Sequence, residues 1–318
     1  MASTVFYRLT ADIASLENVI ENILTIRKVD DIRHVTEEQL ARIPQEERTF
    51  VSKWRSYADY PGISTLQMPN NQTIRFLVKE AYVETSKYRR NMFENDELLP
   101  KAQRTIFETV RTVFFERSDR VYVAIFTTSQ TALNKIKQKL FEDETYIDTL
   151  DNDYLIDGDL FYWLFYKYEE KNKLIAERFE VEAISGFLGN IADETHIIRG
   201  ESEVTPTLLV TKAFVSKFHP IRSLNVMLKL DDYRLSFIFN DLCQCSISSS
   251  CRIPNNRYDI EVASALVIYA FILPYLSHLF ETDEEWNPDT KTVFAKRIGK
   301  EVIKEIADFH GIDLKNLD

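Results

Sequence analysis

The 318-residue sequence predicts an α+β fold in which helices pack on mixed and antiparallel sheets. Apolar residues alternate along two adjacent stretches: Leu224, Val226, Leu228 and Leu230, then Leu235, Phe237 and Phe239. A period of two is typical of strands with one buried face. Residues 262–280 contain no Lys, Arg, Asp or Glu, which is typical of a helix buried on all sides. We therefore expect a C-terminal antiparallel meander covered by an apolar core helix.

The first half of the chain mixes strand and helix patterns. A strand at Val5–Leu9 precedes a helix whose apolar residues from Ile13 to Leu24 keep a 3.6-residue period. Two extended runs on either side of residues 69–72 predict a hairpin. Pro100 is suited to the start of a helix, and its apolar positions are Ile106, Phe107, Val110, Val113 and Phe114. The last elements predicted in this half are a strand at 121–126 and a helix at 130–141 that Ser129 caps.

Residues 142–159 form an acidic segment with eight carboxylates and no basic residue. We interpret this segment as the seam between an N-terminal α/β half, 1–145, and a C-terminal α+β half, 146–318. The second half begins with an aromatic helix near 160–168, two strands near 179–184 and 195–199, and a helix near 206–218. The meander is predicted at 221–248, and two helices at 259–280 and 288–310 complete the fold.

The apolar run at 262–280 is close to the ~20 residues that a transmembrane helix needs. Glu281 and Asp283 follow it at once, and Pro274 and His278 lie inside it. A lone span would offer these groups poor partners, and so we expect a buried core helix and no membrane span. Three cysteines, an odd number, and the absence of an apolar leader after Met1 favour a reducing cytoplasm.

The sequence argues against the common nucleotide-dependent enzymes and serine hydrolases. Its seven glycines form no G-x-G-x-x-G, G-x-x-x-x-G-K-[ST] or G-x-S-x-G pattern. A net charge of −11 also opposes a general attraction to nucleic acid. We expect no cofactor and no metal, and the sequence specifies no oligomeric state.

Four residues around the aromatic helix resemble the sequence pattern of a metal-dependent nuclease. Asp157 and Asp159 are hard oxygen ligands, and Glu169 with Lys171 completes a D…E-x-K pattern, in which Lys orients the attacking water. Asp157 and Asp159 are equally suited to capping the helix that follows them. The pattern lies on a helix, whereas such a nuclease pattern is expected on a strand, and these four residues are the catalytic candidates that the sequence offers.

The cysteines Cys243, Cys245 and Cys251 lie close together and can be read as zinc ligands. Their C-x-C spacing lies inside a strand alternation, whereas structural zinc sites bring cysteines together on tight turns. We therefore expect buried strand thiols.

Two stretches, 204–230 and 242–258, contain no acidic residue. Their basic side chains predict an anion-binding face: Lys212, Lys217, His219, Arg222, Lys229, Arg252 and Arg257. If these side chains share a surface, an acidic protein presents a local site for phosphate groups. The competing interpretation is that they are ordinary solvated positions of a helix and a sheet.

The sequence thus predicts a cytoplasmic protein of binding or assembly, rather than an enzyme. Its partner is expected to be nucleic acid or another phosphorylated molecule that contacts the basic face. One alternative is a metal-dependent phosphodiester hydrolase with Asp157, Asp159 and Glu169 around the metal. Another is a subunit of a multiprotein complex, in which the acidic seam docks a basic protein partner.

Overall fold

The structure is a computed structural model, which describes residues 1–33, 35–57, 59–95, 97–148, 155–191, 196–202 and 205–313. The predicted α+β class is confirmed. The chain divides into two compact units. The N-terminal unit comprises Thr4–Gln67 and Gln72–Asp151, and the C-terminal unit comprises Asn152–Asp318 with Met1–Ser3 and Met68–Asn71.

The N-terminal unit is built on an antiparallel sheet. In chain order its elements are β1 (Ala2–Leu9), α1 (Leu16–Asn18), β2 (Arg27–Asp31), α2 (Glu37–Ala41), β3 (Thr49–Ser56), β4 (Ser64–Gln67), β5 (Thr73–Ser86), β6 (Phe93–Glu94), β7 (Glu97–Leu98), α3 (Lys101–Arg104), β8 (Thr105–Arg117), β9 (Arg120–Ile125), α4 (Gln130–Leu140) and β10 (Ile147–Asp148). The main strand order is β1-β9-β8-β5-β3-β2, and β4 forms the predicted hairpin with β5. Ser129 caps α4, since its hydroxyl accepts a hydrogen bond of 3.1 Å from the Ala132 amide.

The helix predicted after Pro100 is wrong beyond its first turn. Only α3 is helical, and the apolar residues that follow belong to β8. Residues from Val113 to Phe115 are buried between β5 and β9, on both faces of the sheet. A strand that is buried on both faces loses its alternation, and its apolar positions then also fit a helical period.

The C-terminal unit contains a second antiparallel arrangement. In chain order its elements are α5 (Gly158–Glu170), β11 (Leu174–Ala176), β12 (Phe179–Ile191), β13 (His196–Glu201), α6 (Leu209–Ser216), β14 (Ile221–Leu230), β15 (Tyr233–Asn240), β16 (Cys245–Ile247), α7 (Ile260–Val267), α8 (Leu273–Glu281) and α9 (Pro288–His310). The strand order is β11-β12-β14-β15-β16, and β13 also pairs with β12. The predicted meander is therefore β14, β15 and β16.

One face of this sheet is covered by helices. The side chains of Val226 and Leu228 on β14, and of Leu235 and Phe237 on β15, are buried on that face. Helix α5 contacts β12 and β14, and α7 contacts β16. The opposite face carries half-buried or exposed side chains and is called the open face below: Ser223, Asn225, Met227 and Lys229 on β14, and Arg234, Ser236, Ile238 and Asn240 on β15.

Helices α7 and α8 join through a π-helical segment, Ile268–Ile272, into one helix from Ile260 to Glu281. Its length and its mean hydropathy of 1.8 are sufficient for a membrane span. Inside the protein, however, 67% of its most apolar window is buried. No clear membrane span is therefore indicated, and the helix is the predicted cover of the sheet.

Asp283 fixes the end of this helix to α5. Its carboxylate accepts hydrogen bonds of 2.7 Å from the Trp163 indole and 2.8 Å from the Lys167 ammonium. The Lys167 and Asp283 side chains are only 10% and 11% exposed. Burial acts to raise the pKa of Asp283, but the bonds from Lys167 and Trp163 outweigh it and hold that pKa below its usual range.

We expect Asp283→Ala to lower the free energy of unfolding by about 3 kcal/mol, because it leaves a buried ammonium without its partner. A carboxyl with a lowered folded-state pKa stabilises the protein fully above its unfolded pKa, about 3.9. The difference between wild type and variant should therefore shrink as the pH falls below about 4. Urea denaturation across this pH range measures it, with the exposed neighbour changed in Glu284→Ala as control. Equal effects of the two variants at neutral pH would contradict the assignment.

Candidate functional site

The four hydrolase candidates are spread along α5. Asp157 caps the helix and accepts a hydrogen bond of 2.9 Å from the Asp159 amide, while the Asp159 carboxylate pairs with Lys291 at 2.5 Å. Glu169 lies ten residues further along the helix, roughly 15 Å from Asp159. Lys171 pairs with Glu285 at 2.6 Å. The helix therefore separates the carboxylates that a shared metal requires.

No metal site is found in the part of the chain that the structure describes, since no three His, Cys, Asp or Glu side chains there are grouped to hold an ion. Two acidic-segment residues, Asp151 and Asp153, lie outside the described residues. Two described carboxylates of the same segment have basic partners: Glu144 pairs with Lys137 at 2.9 Å, and Asp148 with Arg8 at 2.6 Å. Glu142 and Asp143 are exposed and form no ion pair within the described residues.

Lys212 is part of a charged network between helices. Its ammonium lies 3.0 Å from the carboxylate of Glu301 on α9. Glu169 on α5 lies nearby, and burial raises the pKa of Glu169 although Lys212 and Arg297 act against this. Lys212 thus has carboxylate partners within the protein and is not an open anion contact.

Lys217, His219 and Arg222 lie near the start of β14. The Lys217 side chain is exposed, the His219 ring packs on Phe214 at a centroid distance of 5.1 Å, and Arg222 pairs with Asp241 at 3.0 Å. A cavity of about 480 Å³ beside Arg222 is also lined by Asp157, Asp159, Asp241 and Lys291. Its acidic and basic groups largely neutralise one another.

Lys229 and Arg252 are brought together by strand register. Lys229 on β14 lies opposite Arg234 on β15, and Arg234 forms a β-bridge with Arg252. Directly paired residues point to the same face of a sheet. The open face therefore carries a lateral line of three basic side chains, named the cation row: Lys229, Arg234 and Arg252. Adjacent members are separated by roughly 5 Å, the distance between paired strands.

Two carboxylates lie at the β12 end of the cation row. Glu180 is opposite Lys229, and Glu182 binds Arg234 through two contacts of 2.6 Å. Within the described residues, no ion pair is formed by Lys229 or Arg252, and both side chains are exposed. The positive charge of the row is therefore greatest toward Arg252.

Arg257 lies on the loop that leads from Arg252 to α7. Its guanidinium is 5.3 Å from the centroid of the neighbouring Tyr258 ring and donates a hydrogen bond of 3.2 Å to the Tyr258 hydroxyl. The side chain is exposed. The structure thus divides the seven predicted basic residues into two groups. Lys229 and Arg252 belong to the cation row, and Arg257 lies on the loop beyond it. The second group extends from α6 to the start of β14: Lys212, Lys217, His219 and Arg222.

Sequence reasoning missed Arg234, because this residue follows the acidic pair Asp231-Asp232. The sequence nevertheless contained the information needed to place Arg234 beside Lys229. A two-residue hairpin loop closes on Leu230 and Tyr233 and so places residue 229 opposite residue 234.

No protein-family model matches the chain, and no curated protein matches it.

The three cysteines are free thiols. Burial raises the pKa of the Cys243 thiol to about 12 and raises that of Cys245 further. The Cys251 sulfur accepts a hydrogen bond of 3.3 Å from the Ser236 amide. These contacts are those of buried strand and turn thiols.

We expect the native protein to react negligibly with a thiol reagent such as dithionitrobenzoate at about pH 8. All three thiols are buried from the reagent, and the raised pKa of Cys243 and of Cys245 disfavours their reactive thiolate form. After denaturation, all three cysteines should react. Absorbance of the released product measures both stages. Rapid reaction of even one thiol in the folded protein would contradict the burial of this cluster.

Proposed function

We propose that this is a binding protein that contacts the phosphate backbone of a nucleic acid through the cation row. The observation that carries the proposal is the lateral alignment of Lys229, Arg234 and Arg252 on the open face. Their roughly 5 Å separation is short enough for the long, flexible side chains of Lys and Arg to contact neighbouring phosphates of one strand. A single backbone can thus meet all three cations.

The stability of the sheet does not explain this alignment. Like charges directly opposite each other on neighbouring strands are destabilising. Arg234 has like charges on both sides, and Glu180 and Glu182 supply two carboxylates against the three cations. An anionic ligand relieves the remaining repulsion, which supports a binding role.

Fewer observations support the two alternative functions, a metal-dependent hydrolase and a docking subunit. The hydrolase proposal needs Asp157, Asp159 and Glu169 to converge, and they are distributed along α5. The docking proposal needs free carboxylates in segment 142–159. Glu144, Asp148 and Asp159 have basic partners, which leaves Glu142 and Asp143 as exposed carboxylates without an ion pair among the described residues. A cytoplasmic location is also proposed, and the three free thiols are consistent with a reducing compartment.

We expect the double variant Lys229→Glu with Arg252→Glu to abolish binding of fluorescently labelled oligonucleotides. The wild-type affinity should fall roughly 20- to 40-fold between ~50 and ~200 mM salt, since about three phosphate contacts release their counterions. Fluorescence anisotropy measures both effects.

The matched control is Lys300→Glu with Lys304→Glu, which changes the same number of charges on the exposed side of α9. This control should keep most of the affinity. Equal loss of binding in both double variants, or no binding to wild type at ~50 mM salt, would reject the cation row as the contact.

A second prediction separates function from stability. Arg252→Thr should raise the free energy of unfolding by about 0.5 kcal/mol, because it removes a like charge next to Arg234, while it weakens oligonucleotide binding. Arg234→Thr should instead lower stability, because Glu182 loses its bidentate partner. Thermal and urea denaturation measure the changes. A loss of stability in Arg252→Thr would show that the alignment is structural.

A further inference from the structure

The open face contains a depression centred on Gly186, a residue that has no side chain. Register places Gly186 between Glu201 on β13 and Asn225 on β14, so that these residues form one line across the sheet. The next line contains Arg199, Leu188 and Ser223. Since Gly186 has no side chain, a cavity of about 250 Å³ lies between these two lines.

The cavity cannot be closed by an ordinary substitution. A Cβ atom on Gly186 would lie 2.8 Å from the carbonyl oxygen of Gly200, which is closer than van der Waals contact permits. Glycine inside a strand often marks a site where a ligand or a backbone approaches closely. Here the backbone of β13 enforces the glycine, and the glycine keeps the depression open.

The groups that line the cavity suit a planar polar ring. Leu188 and Ile238 supply apolar surface. Within the described part of the chain, neither the Asn225 carboxamide nor the Ser223 hydroxyl has a hydrogen-bond partner. Arg199 at the rim keeps a largely exposed guanidinium, which pairs with Glu201 at 2.9 Å. A planar guanidinium can stack on a base.

The cavity and the cation row lie on the same face. Asn225 and Lys229 are four residues apart on β14, which corresponds to ~13 Å. This is a length that a few nucleotides of one extended strand can span. Met227 lies between them and makes the surface continuous.

We propose that the open face binds single-stranded nucleic acid and seats one unstacked base in the cavity beside Asn225. This inference rests on the proposed backbone contact and names its substrate. A base inside a duplex is stacked and cannot enter the depression, whereas bases of single strands can splay out onto a sheet. A carboxamide presents a donor and an acceptor that match the edge of adenine, and so adenine is the best-fitting base.

The test compares labelled 12-residue oligo(dA), oligo(dT) and their duplex in anisotropy titrations at ~50 mM salt. Oligo(dA) should bind at least tenfold more tightly than the duplex and more tightly than oligo(dT). Asn225→Ala should weaken oligo(dA) binding about tenfold, the scale of one lost bidentate base contact. The slope of affinity against salt should stay unchanged, because no phosphate contact is removed.

Ser236→Ala is the matched control, since Ser236 lies on the same face but outside the cavity lining. It should bind like wild type, and circular dichroism should show both variants folded. Equal binding of duplex and single strand, or a folded Asn225→Ala with wild-type affinity, would overturn the cavity inference and leave the backbone contact standing. Absence of binding to every oligonucleotide would instead reject the proposed function itself.

Discussion

Burial of one face of the C-terminal sheet beneath α5, α7 and α8 is the constraint on which the proposed site depends. Side chains alternate between the two faces of a strand, so covering Val226 and Leu228 commits Asn225, Met227 and Lys229 to the opposite face. A register slip of one residue would reverse both sets. The apolar helices therefore determine which residues are offered to a ligand.

Within that constraint, the open face departs from what stability alone favours. Three cations are aligned across neighbouring strands, and a glycine occupies the interior of β12. Both features cost stability in a sheet, through repulsion in the first case and lost packing in the second. They lie ~13 Å apart along the strands, close enough for one extended ligand to contact both. This coincidence is the physical basis for assigning them a common role.

The sequence predicts local structural elements, but it does not predict which residues are aligned when the strands pair. The meander, the apolar helix and the Ser129 cap follow from short-range patterns, and the structure contains all three. Strand β8 was missed because its residues 113–115 are buried on both faces of the sheet and show no alternation. The seven basic residues were grouped by acid-free composition, yet Lys212 and Arg222 have carboxylate partners far away in sequence. Gly186 and Asn225 were missed because their alignment arises only when β12, β13 and β14 pair.

Methyl NMR of the methionines tests the central claim, that the open face is the binding surface, most directly. The chain has four methionines, and Met227 lies on the open face between the cavity and the cation row, whereas Met68 and Met92 are buried. On titration of ¹³C-methyl-labelled protein with oligo(dA) at low salt, the account predicts that the Met227 signal shifts and returns when salt is added. The signals of Met68 and Met92 should stay in place. Binding that leaves the Met227 signal unchanged would contradict the account, because the ligand would then lie elsewhere on the protein.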